Sequence, residues 1–254
     1  MSDFIKSKRT TFVRFSILEP KIFNIFNMQN PGYFIEKNIF SASECDDLTN
    51  ILSQANRTKL QTSKRKQAGA RHLMSNTQIA KVAKDKRLIN FAEKLLGNKA
   101  NPFRATLFDK SLLNNWLVTW HQDRALPLKS YFDDKAWGPW SKKEGVLYAH
   151  APTWALSQIV ALRIHLDAAT SENGPLKIIP CSHLLGILSD KEVLSYSKSN
   201  SSIECLVDKG GVLAMSPLLI HCSSKAKSDK PRRVLHIEYA INLELATNIS
   251  LALA

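Results

Sequence analysis

The sequence predicts a mainly β domain supported by helices that precede the strands. Three observations carry that prediction. The chain's 254 residues suit one large domain with a full core. Before Gly97, two segments repeat their apolar residues at helical spacing. After it, the chain breaks into short runs of β-branched and aromatic residues separated by turn residues, the pattern of a sandwich or barrel. Hydrophobic residues make up 44%, which fits a globular chain. No run approaches the roughly 18 apolar residues of a membrane span.

Taken in order, residues 1–30 alternate apolar and polar types without a stop signal and are expected to form an arm or an edge strand. In "FSASECDDLTNILSQANR", Ser43 with Asp46 three positions on suits a helix start, and Leu48, Ile51 and Leu52 form its apolar stripe. The stretch "TQIAKVAKDKRLINFAEKLLG" reads as one further helix, with Ile79, Val82, Ile89, Ala92 and Leu96 near one face and Gly97 just past its end. The strand runs are "RATLFDK", "NNWLVTWHQD", "QIVALRIHLD", "GPLKIIPCSH", "SSIECLVDKG", "GVLAMSPLLIH" and "RRVLHIEYA". Asn173-Gly174-Pro175 and Gly210-Gly211 punctuate them. A single domain over 1–254 is expected, with helical support at roughly 41–97 buttressing a β-core at roughly 105–245. Between Asp123 and Gln158 lies a long, aperiodic segment carrying Trp137, Trp140 and Trp154. Residues 124–157 are expected to act as a lid, since long loops in folded domains often cover binding sites.

The net charge is +13, which leaves room for an anionic substrate or for nucleic acid. Residues 57–71, "RTKLQTSKRKQAGAR", hold six basic residues and no acidic one, yet no aromatic residue interleaves them for base stacking. Nucleic acid is therefore disfavoured as a partner, and a membrane is not expected. Cys45, Cys181, Cys205 and Cys222 form no C-x-x-C pair, so reduced thiols and a cytoplasmic location are the simplest expectation. Nothing in the sequence sets the oligomeric state.

The chemistry concentrates in three places. An apolar run ends in His121-Gln122-Asp123, and residues two apart on a strand share a face. A second apolar run ends at His221. Two imidazoles and one carboxylate form a facial triad that leaves open positions on a metal, unlike a closed structural site. Arg232 lies eleven positions after His221 on the next strand. Its planar fork suits a carboxylate, such as the far end of 2-oxoglutarate chelating the metal. Two strands, "ALRIHLDA" and "RRVLHIEYA", alternate an apolar face with a polar one that places Arg163 and His165, or Arg232, His236 and Glu238, together. Those polar faces could line a barrel interior.

The segments "WHQD", "RIHLDAATSENGPLKIIPCSH" and "MSPLLIHCSS…RRVLHIEYA" resemble the phytanoyl-CoA dioxygenase family of Fe(II)/2-oxoglutarate oxygenases, from about Leu107 to Ala240. The resemblance implies a double-stranded β-helix (jelly-roll) core. It also implies metal ligation by His121, Asp123 and His221, and 2-oxoglutarate binding by Arg232. Ser223 is expected to assist Arg232, and Lys110 and Trp120 to touch the cosubstrate. Arg233 is the rival of Arg232, because a one-residue register slip exchanges the faces. His165, His183 and His236 are expected to be hydrogen-bonded structural residues, and His72 and His150 carry no pattern. The family often has Gly where this chain has Cys181, which leaves the backbone there open. Asp123 is retained, whereas related halogenases replace it with a small residue. The expected activity is thus hydroxylation of a small organic substrate, using Fe(II), 2-oxoglutarate and O2. The competing readings are an inactive oxygenase fold binding nucleic acid or another anionic partner through its basic surface, and a zinc hydrolase, which would leave Arg232 without a purpose.

Overall fold

The computed structural model describes residues 30–60, 69–111 and 114–254, with side chains throughout except at 55–60. All but the last residue of the expected arm at 1–30 and the greater part of the basic segment 57–71 lie outside the described residues. Strands are β1 (Tyr33–Glu36), β2 (Gly69–Ala70), β3 (Asn101–Lys110), β4 (Val118–His121), β5 (Ala125–Leu128), β6 (Trp140–Lys143), β7 (Val146–His150) and β8 (Ile159–His165). They continue with β9 (Leu176–Ile178), β10 (Ile203–Cys205), β11 (Val212–Met215), β12 (His221–Ser223), β13 (Arg232–Ala240), β14 (Glu244–Ala246) and β15 (Ile249–Ser250). Helices are α1 (Ala42–Leu60), α2 (Thr77–Ala83), α3 (Lys86–Leu96), α4 (Thr153–Leu156) and α5 (Asp190–Ser199).

Two antiparallel sheets make the jelly-roll core. The larger runs β1-β11-β8-β13-β3-β2 and the smaller β10-β9-β12-β4. The helices cover the outer face of the larger sheet, where Leu162, Ile164, Leu235, Ile237 and Tyr239 meet Leu48, Leu52, Ile79, Leu88, Leu95 and Leu96. Tyr239 lays its ring in this core and donates its hydroxyl proton to the Ala83 carbonyl at 2.9 Å, so the one polar atom it buries is satisfied. Because side chains alternate along a strand, this packing sends Arg163 on β8 and Arg232, His236 and Glu238 on β13 to the opposite, inner face. Register completes that wall: Arg232 stands opposite Lys110, His236 opposite Thr106 and Arg163, and Glu238 opposite Arg104. Both odd-patterned strands thus carry an apolar side to the helices and a polar side inward.

Several expectations need correction. The cap of α1 is Ser41, not Ser43. The Ser41 amide donates to the Glu44 carboxylate at 2.7 Å and the Glu44 amide to Ser41 Oγ at 3.2 Å, a reciprocal box two residues earlier than the sequence suggested. The single helix expected at 77–97 is two. Asp85 breaks it and caps α3 by accepting from the Arg87 amide, a side-chain competition with the helical backbone typical of Asp. Gly97 does close α3 in the left-handed conformation, φ 64°. "GVLAMSPLLIH" is not one strand. β11 belongs to the larger sheet, Ser216–Ile220 crosses between sheets, and His221 opens β12 rather than ending a strand. Pro217 cannot donate to a ladder, which is why the run breaks there.

The segment 124–157 is also not an open loop. It folds as the three-stranded sheet β5-β7-β6 followed by α4. Trp137 is buried with Leu126, Phe103 and Leu251, and Trp140 packs edge-on to Phe132 at 5.2 Å. These aromatics make a core of their own. No described helix is long and apolar enough to cross a membrane. All four cysteines are free thiols, with Cys45, Cys205 and Cys222 buried.

Candidate metal centre and the pocket beside it

His121 closes β4 and His221 opens β12, and the antiparallel register sets them directly opposite each other. Their ring centroids lie 4.2 Å apart. Asp123 follows just beyond β4, its amide donating to the Pro217 carbonyl at 2.8 Å, so the turn between sheets fixes the third group. Asp123 lies 3.6 Å from His121 Nε2 through one carboxylate oxygen and 3.6 Å from His221 Nε2 through the other. One ligand atom from each of the three comes within 4.8 Å of the others. Among the described residues this is the one such group.

The second nitrogen of each ring explains the geometry. His121 Nδ1 meets the Thr119 carbonyl at 2.8 Å and His221 Nδ1 the Leu219 carbonyl at 2.8 Å. A carbonyl only accepts, so each Nδ1 holds the hydrogen and each Nε2 turns its lone pair inward. Backbone carbonyls behind the rings are the usual support of imidazole metal ligands. Electrostatics agree at His221 and Asp123. Burial, with His121 adding to it, pushes His221 down to about 4. Burial would raise Asp123, but His221 and His121 hold it well below the usual carboxylate range. Burial opposes a proton on His121, yet Asp123 outweighs it and raises that imidazole. The donor set of two neutral nitrogens and one carboxylate oxygen fits a divalent metal of the Fe(II) type.

A cavity opens from this group and is lined by residues of both sheets and the segment before β4, including Lys110, Trp116, Arg163, Ser223 and Arg232. Lys110 is fully buried, as β3 demands of an inward-facing residue. Its Nζ donates to Ser223 Oγ at 2.8 Å and the Ser224 carbonyl at 2.6 Å, and lies 5.1 Å from the Trp116 ring centre. Burial, with Arg232 and Arg163 nearby, pushes it down to about 8. Arg232 is 3% exposed, and its guanidinium reaches Ser223 Oγ at 3.5 Å and the Asn173 carbonyl at 3.4 Å. Burial, and Arg163, bring it down to about 9. Ser223 in turn donates to the Gly174 carbonyl at 2.9 Å. At Gly174, φ 67°, a Cβ would stand 2.4 Å from the Ser224 carbonyl oxygen, so only glycine lets this strand end close against β12.

Arg233 points the other way. Its guanidinium grips both Asp167 oxygens at 2.7 Å, which takes it out of contention. Trp120 is not in the cavity. It packs on the outer side of the smaller sheet with Ile179, Val193 and Ile220, and Trp116 stands where Trp120 was expected. The cause is a bulge. Opposite β12, His121 pairs with His221 but Val118, not Thr119, pairs with Ser223. The extra residue exchanges the faces along β4, so Trp116 and Val118 turn inward with His121. His165, His183 and His236 lie outside the three-residue group. His165 is buried with Nδ1 on the Arg163 carbonyl, His72 meets the Tyr148 hydroxyl at 2.8 Å, and His150 is half-buried on β7.

The model of the phytanoyl-CoA dioxygenase family matches residues 28–234. The chain belongs to this family. It is a family of Fe(II)- and 2-oxoglutarate-dependent oxygenases, and the jelly-roll core and inward-facing donors agree with that membership. The chain is 27% identical to the L-proline trans-4-hydroxylase of Streptomyces griseoviridis, over 60% of this chain and 59% of that protein's length. It resembles in fold EctD from S. alaskensis with bound Fe (TM-score 0.60, 18% identity, 89% of this chain and 84% of that one). It also resembles HygX from Streptomyces hygroscopicus with nickel and 2-oxoglutarate bound (TM-score 0.58, 14% identity, 85% of each). Cys181, at the family's frequent glycine, keeps the glycine conformation with φ 63°. The sequence reading missed Trp116, hidden by the bulge, and gave Arg163 no role beyond its polar face.

Proposed function

We propose that this family member is a dioxygenase in which His121, Asp123 and His221 hold Fe(II), and that it hydroxylates a C–H bond of a small organic substrate. When bound, the metal with 2-oxoglutarate and O2 supplies the oxidation: one oxygen atom enters the C–H bond, and the other ends in succinate as CO2 leaves. Arg232 binds the far carboxylate of the cosubstrate, with Ser223 and Lys110 orienting it and Trp116 closing the wall beside it. The carbonyls of Thr119 and Leu219 keep both imidazoles in the ligating tautomer. The surrounding apolar residues, Phe108, Val118 and Leu176, exclude water. Asp123, a third protein ligand that a halide would have to displace, favours hydroxylation over halogenation.

The observation that carries this reading is the pairing of a convergent His–Asp–His group with a buried Arg232 that has no carboxylate partner among the described residues, both in one cavity. Such a cation is costly to bury without an anion to meet it. The test is anaerobic titration of the metal-free chain with Fe(II) and 2-oxoglutarate, following the weak visible charge-transfer band of the chelate. A saturable band, absent in His121→Ala, supports the reading. A folded chain that gives no band refutes it.

A further inference from the structure

Arg163 is a cation that the proposed chemistry leaves unused. It sits at the centre of the larger sheet on β8, is 5% exposed, and lines the same cavity as the His–Asp–His group. Its position is built rather than incidental. The guanidinium carbon lies 5.0 Å from the Phe108 ring centre, and Nη1 meets His236 Nδ1 at 3.1 Å. His236 Nε2 in turn contacts Glu238 Oε1 at 3.0 Å. Since the carboxylate only accepts, His236 carries its hydrogen on Nε2 and offers a lone pair at Nδ1, so Arg163 donates there. Glu238 itself is held by Arg104. That chain fixes Arg163 at one nitrogen and leaves its remaining donors, the buried Nε among them, without a protein partner among the described residues.

Charge sharpens the point. Lys110, Arg163 and Arg232 line the cavity against the single carboxylate of Asp123. A divalent metal and the two carboxylates of 2-oxoglutarate cancel each other, so the excess of cations survives when both are bound. A surplus buried charge that is held in place by stacking and hydrogen bonding is the signature of a site awaiting an anion.

We infer that Arg163 is a second oxyanion-binding arginine, which takes a carboxylate or similarly charged group of the substrate while Arg232 takes the cosubstrate. This rests on the oxygenase reading above and narrows it to a substrate that carries an anionic group. The two sources of oxyanion, substrate and cosubstrate, predict different losses.

The experiment uses the full chain loaded anaerobically with Fe(II) and saturated with 2-oxoglutarate, titrated calorimetrically with acetate and with inorganic sulfate as probes. The wild-type complex is expected to bind a probe saturably. Arg163→Met should weaken that binding by about tenfold or more while the 2-oxoglutarate Kd, read from the charge-transfer band, stays within about twofold. Arg163→Lys, which keeps the charge and loses the fork, should lose about fivefold, and it decides the matter if the methionine variant does not fold. The inference is overturned if the wild-type complex binds neither probe. It is overturned equally if Arg163→Met weakens 2-oxoglutarate by about tenfold, which would give this arginine to the cosubstrate, or if neither affinity changes, which would make it structural. Should the wild-type chain form no chelate band at all, the oxygenase reading fails separately. The probe titration repeated in Arg232→Met, alone and combined with Arg163→Met, then still reads Arg163.

Discussion

His121 and His221 face each other across the β4–β12 ladder, ring centroids 4.2 Å apart, each tied through Nδ1 to the carbonyl two residues before it. Neither ligand depends on a loop closing, so the centre is organised before any metal arrives. Removing either imidazole should cost more than the roughly 10–100-fold seen when only a supporting contact is lost. Fe(II) titration of His121→Ala and His221→Ala is expected to show affinity reduced by more than about 100-fold, with the fold intact by circular dichroism. Unchanged affinity in either variant would place the metal elsewhere.

Adjacent arginines should behave oppositely. Arg232→Ala removes a buried cation that has no carboxylate partner among the described residues. Stability should therefore hold or rise, while the 2-oxoglutarate Kd increases by about 100-fold. Arg233→Ala breaks the two-pronged grip on Asp167. It should cost about 1–3 kcal/mol of stability and leave the Kd alone. Denaturant unfolding and cosubstrate titration of both variants check this. A 2-oxoglutarate defect that followed Arg233 would reverse the assignment.

Lys110 supplies a pH signature. Burial, with Arg232 and Arg163 adding to it, brings its pKa down to about 8 from 10.5. The protonated amine is the form that attracts a carboxylate, so 2-oxoglutarate affinity should fall as pH rises through about 8. Between that value and 10.5 the unfolded chain holds a proton the folded chain lacks. Within that window Lys110 makes stability rise with pH, and its burial penalty is complete below the window. Lys110→Met should flatten the affinity profile. A profile that keeps its slope in this variant would assign the titration to another group.

The bulge in β4 separates two tryptophans that the sequence places four residues apart. Trp116→Ala should weaken 2-oxoglutarate by about tenfold, as expected for losing an aromatic that packs against a charged group in a closed cavity. Trp120→Ala should instead cost about 2–3 kcal/mol of stability through its packing on Ile179, Val193 and Ile220, with cosubstrate affinity unchanged. Equal effects of the two substitutions on affinity would mean that the bulge does not sort them.

Cys181 sits at φ 63°, where a Cβ is unfavourable. Cys181→Gly should stabilise the chain by about 0.5–1 kcal/mol, part of the relief being offset by the greater freedom of glycine when unfolded. Thermal unfolding reads this as a rise of roughly 1–4 °C. A fall would mean that the thiol makes a contact worth more than the strain.

Legibility followed the physics of each signal. Period-two alternation in β8 and β13 sorted their faces correctly, because both strands lie flat and central with a core behind them. Trp120 was named for its closeness to His121 in sequence, and the extra residue in β4 that turns Trp116 inward leaves no mark there. His–x–Asp, His221 and Arg232 were recognisable as a set from order and spacing, although the role of each was carried by resemblance rather than by any single residue. The helix cap was misplaced by two positions because Ser41 and Ser43 are each followed three residues later by an acid, and only the geometry chooses. The aromatic segment 124–157 was read as an aperiodic lid because its strands β5, β6 and β7 are only four or five residues long, too short to show a period. Arg163 was placed on the right face, but what it lacks, a carboxylate within hydrogen-bond reach among the described residues, is a property of three dimensions.

β4 is the outermost strand of the smaller sheet, hydrogen-bonded on one side only, to β12. Two of the three convergent groups lie on or just beyond it, and the third lies on β12. A metal held by them would therefore be a clasp across the rim of the sheet as well as a reaction centre. Occupancy by the ion and cohesion of the rim would rise and fall together. An edge strand with a single ladder partner would be the one whose integrity answers to the supply of iron.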